Sequence, residues 1–515
     1  MSEVLLLIVI IGAVALTAFA RSKGIQAGLV IVVIAAGVSF IPGMERLELQ
    51  PELILGLVMP PLLYSATQSF SFFSFIRNLR PIVGLGLGLV LVTTVAVTGL
   101  TAWLLPSVGF AGALVLAATV SPPDTVTTVT HGKELGLTKR VIAILTGESL
   151  VNDATALALF SVAVAGAVGE ETFIDNPVLL FGYGVLVGIV IGFGLGALVV
   201  WIRGRLGNST LETIVSILVP FAAFQLAEFV EASGVLAVVL AGFFVAVNSN
   251  YDERGNRFKT QHLTRLQERN VWPVLDVLLE SFVFAYIGLQ LKFVIDELIA
   301  TGEEVGRTIV VAVLVLLVVM IVRVVYVFII FTRTAIGVKM RAKQLERSNR
   351  ARLREAWERR DRKRRGRPDR RPPVVLDWKE RLLVSWTGMR GIVTLAAAGS
   401  IPLVTAAGED FPGRASIQFI AFVVAIGTLV IQGATLPFLA RALKVDTAVE
   451  DREAAEGLAA AERIAGAETT PDAKRRAVGM AMSQRLIEDE YARVVINRID
   501  LQQAADEARA SDGSH

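Results

Sequence analysis

The chain has 515 residues, of which 54% are hydrophobic and only 19% charged, with 44 Gly, no Cys, three His and mean hydropathy +0.61. A soluble globular chain carries about 25% charged residues and less than half apolar ones, so length does not count soluble domains here. Without Cys there are no disulfides and no cysteine-built zinc or iron–sulfur centres, three scattered His cannot form a histidine metal site, and no cofactor is expected.

The net charge of +3 hides a strong segregation, because 19 of the 50 basic residues fall in positions 333–381 and 11 more lie from Arg441 onward. What remains is an apolar body, read as an all-α polytopic membrane protein. A helix needs about 20 apolar residues to cross a hydrocarbon layer of roughly 30 Å. Thirteen stretches are candidates, beginning near Val4, Ile25, Leu53, Leu79, Val108, Arg140, Val178, Leu211, Gly234, Pro273, Arg307, Arg381 and Ile417. The first ends on Ala18-Phe19-Ala20, which has the form of a signal-peptidase site. Glu3 precedes its apolar run, however, and Arg21 and Lys23 follow it, so an uncleaved helix with an external N-terminus is expected.

The positive-inside rule orients the rest. With the basic loop in the cytoplasm, the inner connections hold Arg21 and Lys23, Arg77 and Arg80, Lys133, Lys139 and Arg140, Arg203 and Arg205, and the basic residues from Arg254 to Arg269. The outer connections hold Glu45, Glu48, Glu52, Glu170, Glu171, Asp175, Asp296, Glu297, Glu303, Glu304, Glu409 and Asp410, against Arg46, Lys292, Arg307 and Arg414. Removing one helix would exchange the sides of every earlier loop and erase this asymmetry. The expected layout is therefore thirteen transmembrane helices, N-out and C-in, over residues 1–440, with a cytoplasmic basic insert at 334–378 and a cytoplasmic helical tail at 441–515.

Eight ionisable residues remain at membrane depth: Asp124, Glu148, Asp153, Glu228, Asp276, Glu280, Arg323 and Arg390. Each costs at least about 2.5–3.5 kcal/mol to insert, so each calls for a partner or a wet cavity. In the fifth stretch, Ser121-Pro122-Pro123-Asp124 removes two backbone donors in mid-membrane and leaves carbonyls around Ala118 to Val120 to be satisfied otherwise. In the sixth, Ser149 and Asp153 share one helical face, as do Glu148 and Asn152, and Asp153 with its neighbours offers hard oxygen ligands to a small cation. In the tenth, Asp276 and Glu280 lie one and two turns from the cytoplasmic end, either as a cation funnel or as groups snorkelling or paired with basic loops. Glu228 reads as structural. The twelfth stretch is interrupted at Gly388-Met389-Arg390-Gly391. Taking helices 1–6 and 8–13 as inverted repeats puts both breaks in the fifth helix of a half, the placement of a secondary transporter's midplane site. Asp124 and Arg390 suit compensation of the half-helix dipoles.

Gly147-Glu148-Ser149-Leu150-Val151-Asn152-Asp153 resembles the Glu-Ser-Leu-x-Asn-Asp signature of sodium/proton exchangers of the monovalent cation:proton antiporter-1 family. The likeness covers about residues 4–440. It is carried as well by Met59-Pro60-Pro61-Leu62-Leu63-Tyr64, Ser121-Pro122-Pro123-Asp124, Ser233-Gly234-Val235-Leu236-Ala237, Ile287-Gly288-Leu289-Gln290-Leu291 and Gly388-Met389-Arg390-Gly391. The resemblance implies a homodimer in which a core domain moves against a dimerisation domain, with helices 5 and 12 crossing as unwound segments. It implies Asp153 as the carboxylate that binds Na+ or a proton, Asn152 and Ser149 as residues shaping the site, and Thr119 as an oxygen donor. Glu148 would pair with an Arg on helix 11, and Arg323 is the basic residue in that helix's interior. An Asn beside the Asp implies electroneutral one-for-one exchange. One departure stands out: Ser65 occupies a helix-3 position where some relatives carry an acid.

The function expected is exchange of Na+, with Li+ a further cargo, for H+ by competition for Asp153, in the service of pH homeostasis at a plasma or inner membrane. A K+/H+ antiporter is the alternative within the class, and a cation channel the alternative outside it. A hydrolase built on Ser149 lacks the closing Gly of a nucleophile elbow and a His within a span to act as base. The expected partners are the two ions, membrane lipids and a second copy. The basic insert is assigned to anionic headgroups and not to nucleic acid. The tail, whose residues 446–515 hold 15 acidic and 9 basic side chains, suits amphipathic helices that either regulate transport or form a solvated cap.

Overall fold

A computed structural model of the chain describes residues 2–23, 25–44, 46–47, 54–69, 72–125, 132, 137–169, 176–250, 261–300, 305–347, 376–445, 448–484 and 486–512. Outside these lie Glu45, Glu48, Glu52, Lys133, Glu170, Glu171, Asp175, Arg254, Glu303 and Glu304 among the predicted loop charges, and most of the basic insert, 348–375.

Each of the thirteen predicted stretches carries helix. We number them α1 (Ser2–Ser22), α2 (Ala27–Ser39), α3 (Met59–Ser69, entered through a π turn at Ile54–Val58), α4 (Leu79–Leu104) and α5 (Gly109–Val120). There follow α6 (Lys139–Val168), α7 (Pro177–Leu206), α8 (Ser209–Phe229), α9 (Gly234–Asn250), α10 (His262–Ala300) and α11 (Val305–Arg347). The twelfth stretch is two pieces, α12a (Trp378–Trp386) and α12b (Ile392–Gly399), and α13 spans Arg414–Leu443. Among the described residues, seven helices are long and apolar enough to cross a membrane and four more are apolar but shorter. Among the described residues no strand forms, only two isolated bridges.

Lipid supplies no hydrophobic drive between helices, so close backbone approach through small residues holds the bundle together. On α7, Gly188, Gly192 and Gly196 form one stripe, and a Cβ at Gly192 would stand 2.6 Å from the Ala237 carbonyl of α9. Gly288 of α10 meets the Val32 carbonyl of α2 in the same way, where a Cβ would stand at 2.7 Å.

Two helices run beyond their apolar stretches. α10 starts at His262, eleven residues before the predicted start at Pro273, and α11 continues through Arg347 into the predicted insert. The added turn residues of α10 are held by tertiary contacts: Glu268 pairs with buried Arg203 at 2.5 Å and Thr264 donates to Glu212 at 2.7 Å. The extension of α11 is rich in Ala, Lys, Arg, Gln and Leu, strong helix formers that need no lipid.

The tail forms α14 (Ala448–Gly466), α15 (Pro471–Ser483) and α16 (Asp489–Asp512) around a small core that includes Ala461, Val478, Met482, Ala492 and Val495. A buried pair, Arg475 with Asp500 at 2.8 Å, ties α15 to α16.

Candidate ion-binding site

The site is built where two helices stop. At Pro122 and Pro123 the chain cannot donate to the preceding turn, so α5 ends at Val120 and its last carbonyls need other donors. The Ser121 hydroxyl serves the Ala118 carbonyl at 3.1 Å, and the Arg390 guanidinium reaches the Val120 carbonyl at 2.9 Å and that of Ser121 at 3.3 Å. The Asn152 amide donates to the Pro123 carbonyl at 2.7 Å. On the other break, Arg390 also donates to the Gly388 carbonyl, while its own backbone N–H is held by the Thr428 hydroxyl at 2.8 Å. The two unwound segments cross, and the Asp124 N–H donates to the Met389 carbonyl at 2.6 Å as a single antiparallel bridge. A fully buried Arg390 thus serves carbonyls of both interrupted helices at once.

The crossing leaves no room for side chains at its glycines. A Cβ at Gly391 would stand 1.9 Å from an Asp124 carboxylate oxygen, which places that carboxylate at the N-terminal end of α12b. Negative charge is favoured there. A Cβ at Gly388 would stand 2.0 Å from the Arg323 Cδ. Arg323 and Glu148 form a fully buried bidentate pair at 2.5 and 3.3 Å, and Arg323 also donates to the Val384 carbonyl near the end of α12a at 3.0 Å. The pair therefore joins α6 and α11 to the broken helix.

Beside this crossing opens a cavity of about 600 Å³. Of the predicted residues, Asp124, Ser149, Asp153, Asp276 and Glu280 line it. Thr119, Asn152, Glu148, Arg323 and Arg390 do not, and are buried in the scaffold. Thr119 spends its hydroxyl on the Val115 carbonyl of its own helix at 2.8 Å. Asn152 is fully buried, and its Oδ1 receives no hydrogen bond from the described residues. Glu228 lies elsewhere, near the start of α9, where a Cβ on Gly234 would meet its Oε1 at 3.0 Å.

Two contacts at the cavity have no signature in the sequence. Thr125, one residue beyond Asp124, lines the cavity and shares a 2.5 Å hydroxyl–hydroxyl bond with Ser149, while donating to the Leu145 carbonyl at 3.0 Å. Its signal was only that it follows the Pro-Pro-Asp break. Ser65 of α3 donates to Asp276 of α10 at 2.7 Å. That bond brings a carboxylate of the tenth helix against the third. Asp153, on the face of α6 that meets the crossing, therefore shares one chamber with Asp124, Thr125, Ser149, Asp276 and Glu280. Such a chamber offers hard oxygen ligands to a desolvated monovalent cation or a carboxylate to a proton.

Comparison with known proteins gives a consistent result. The family model described as sodium/hydrogen exchanger, transmembrane, matches residues 5–442. An uncharacterized Na(+)/H(+) exchanger of Mycobacterium tuberculosis is 31% identical over 406 residues, 78% of this chain and 67% of that protein. A sodium, potassium, lithium and rubidium/H(+) antiporter of Bacillus pumilus is 29% identical over 434 residues, and this chain spans 58% of its length. Among solved structures, the sodium proton antiporter MjNhaP1 from Methanocaldococcus jannaschii matches with a TM-score of 0.58 over 86% of this chain and 98% of that one, at 14% identity. That likeness is one of fold.

Proposed function

The chain belongs to the sodium/hydrogen exchanger family, and on that premise we propose that it exchanges Na+ for H+ one for one, with Asp153 carrying either ion. The observation that carries this reading is the position of Asp153: on the wall of a chamber, beside the crossing of two unwound chain segments whose carbonyls are already bonded. A carboxylate there holds a proton or a cation, but not both. The same scaffold leaves few other charges free to take part, because Glu148 is paired with Arg323 and Arg390 serves backbone carbonyls.

The working cycle follows from charge. An empty, ionised site costs too much to carry across the apolar barrier, whereas a site neutralised by Na+ or H+ crosses. Ser149, held by Thr125, and Asn152, held on the Pro123 carbonyl, keep the ends of the broken helix in register with α6. Asp276 and Glu280 concentrate cations on the cytoplasmic approach. Asp124 and Arg390 balance the half-helix ends as the core moves. Thirteen spanning helices, N-out and C-in, two inverted six-helix repeats, a homodimer and a plasma or inner membrane location complete the proposal. So does the division into a transport domain at 1–440 and a tail at 441–515. Support for the sidedness comes from the contacts at each end. Connections assigned to the outside meet in Arg46, Glu297 and Arg414, which pair at 3.3 and 3.5 Å. Connections assigned to the inside meet around Arg77, Lys139 and Arg265.

A second reading, K+/H+ exchange, draws on the Bacillus pumilus relative, which is described as taking potassium and rubidium as well as sodium and lithium. Purified protein in proteoliposomes with an internal pH dye tests both. Na+ addition is expected to move the dye signal equally with the potential clamped at zero or at 100 mV, a difference that would otherwise be worth about 2.3 kcal/mol per charge moved. Asp153→Asn is expected to abolish the signal while the protein elutes normally. Exchange that persists in Asp153→Asn sinks the mechanism, and a current through the membrane without proton coupling favours a channel.

A further inference from the structure

The cavity is not walled by membrane helices alone. Arg493, Ile496, Asn497 and Asp500 of the tail line it as well. They stand at i, i+3, i+4 and i+7, one stripe of α16. The neighbouring stripe, with Ala492, Val495 and Ile499, packs into the tail's own core, and Ile496 lies on the border of the two faces. One helix therefore presents one face to the tail bundle and the next to the chamber that holds Asp153. Arg493 reaches in far enough to donate to the Gln68 carbonyl at the end of α3, at 3.2 Å.

What holds α16 over the opening is mostly charge. Glu488 pairs with Arg77 at 2.6 Å, and Glu490 with Lys139 at 3.1 Å, the ammonium also lying 4.7 Å from the Tyr491 ring centre. His262 contacts Glu507 at 3.1 Å. Asp500 takes both Arg265, at 2.7 and 2.8 Å, and Arg475 of its own bundle. The acidic members come from the tail, and the basic ones, Arg475 apart, come from three separate places on the transport domain: before α4, the start of α6 and the start of α10. Except at Asp500, the tail's acids are about half exposed, with side chains 41%, 50% and 51% accessible. Exposed pairs of this kind are weak singly and screened by salt.

We propose that α16 is a cytoplasmic gate on the ion chamber: docked, it closes the approach to Asp153 with the Arg493 stripe, and rising ionic strength releases it. The proposal rests on the reading of the chamber as the transport path. A device of this kind would hold an exchanger slow in dilute cytoplasm and free it as salt accumulates. It needs no ligand other than the ions themselves.

The chain has no Cys, so an engineered pair is unambiguous. Full-length Arg77→Cys/Glu488→Cys protein, in proteoliposomes, is joined with a bis-maleimide whose linker is cleaved by reductant. Locked protein is expected to exchange Na+ for H+ at a small fraction of the rate before cross-linking, and cleavage of the linker is expected to restore it. A second variant needs no cross-link. Glu488→Lys/Glu490→Lys, altered only at exposed positions, is expected to run several-fold faster than wild type at low ionic strength. Its rate should then respond little when choline chloride is raised from about 20 to about 500 mM at constant Na+, where the screening length falls from roughly 20 to roughly 4 Å. Wild type should accelerate over that range. Cross-linked protein that exchanges at full rate, or a charge-reversed tail with wild-type rate and salt response, overturns the gate. Wild-type protein that exchanges no monovalent cation overturns the transport reading instead.

Discussion

Arg323 and Arg390 are tolerated inside an apolar bundle because each has acceptors at hand. Arg323 meets both oxygens of Glu148 and the Val384 carbonyl, and Arg390 meets carbonyls from both broken helices. A guanidinium suits this work, since its planar fork offers five donors and keeps its charge. The two members of the Glu148–Arg323 pair depend on each other more than the fold depends on the pair. Removing one partner strands a buried charge, at a cost of about 3–5 kcal/mol, whereas removing both is often close to neutral. Glu148→Leu is thus expected to lower the thermal unfolding midpoint of detergent-solubilised protein sharply. Glu148→Leu/Arg323→Met is expected to regain part of the loss, short of all of it because the Val384 carbonyl loses its donor. A double variant less stable than either single one would contradict this account. The existence of these charges was plain in the sequence, and so was the need for partners. The pairing of Glu148 with Arg323 came from a resemblance, and the geometry has the two in contact across 175 positions of chain. Thr125 was invisible, because a threonine on an apolar stretch has no signature until its hydroxyl is found against Ser149.

At the level of elements, the interruptions matter more than the helices. Prolines stop α5, and glycines allow α12a and α12b to end and restart within bonding distance of it. Gly391 is required there by close approach, since its backbone φ of −127° is open to any residue while its Cα lies against Asp124. Gly391→Ala is expected to displace the Asp124 carboxylate and slow exchange in proteoliposomes by about tenfold or more, a 1 Å misplacement of a positioned group costing on the order of 10²-fold. Membrane insertion and yield should change little. Normal exchange by that variant would show that the crossing has slack to spare. All thirteen apolar stretches could be located by hydropathy, and both breaks by Pro-Pro and by Gly flanking Arg. Helix ends could not. Hydropathy senses where lipid stops, whereas α10 and α11 end where helix-forming residues and tertiary contacts such as Arg203–Glu268 stop.

Across the whole molecule, alternate connections gather at opposite ends of the bundle. Arg46, Glu297 and Arg414 meet at one end, and the Ala406 N–H donates to the Val168 carbonyl at 3.0 Å there. Arg77, Lys139 and Arg265 meet the tail at the other. The basic excess of the second group is what the positive-inside rule places in the cytoplasm. A membrane-impermeant maleimide applied to intact cells is therefore expected to label Ile41→Cys, 55% exposed at the end of α2, but to label Leu486→Cys, 68% exposed in the tail, only after permeabilisation. The reverse pattern would invert the topology. Composition and the placement of charge along the sequence determined that the chain lives in a membrane, which of its ends the charges favour inside, and which few ionised groups must do chemistry or find partners. They could do so because burying a charge in lipid is costly whatever the fold. Only the tertiary structure decided which of those groups meet, that Ser65 donates to Asp276, and that residues of the tail's last helix line the chamber. Those depend on short-range contacts between residues tens to hundreds of positions apart, and such contacts have no period or composition to read.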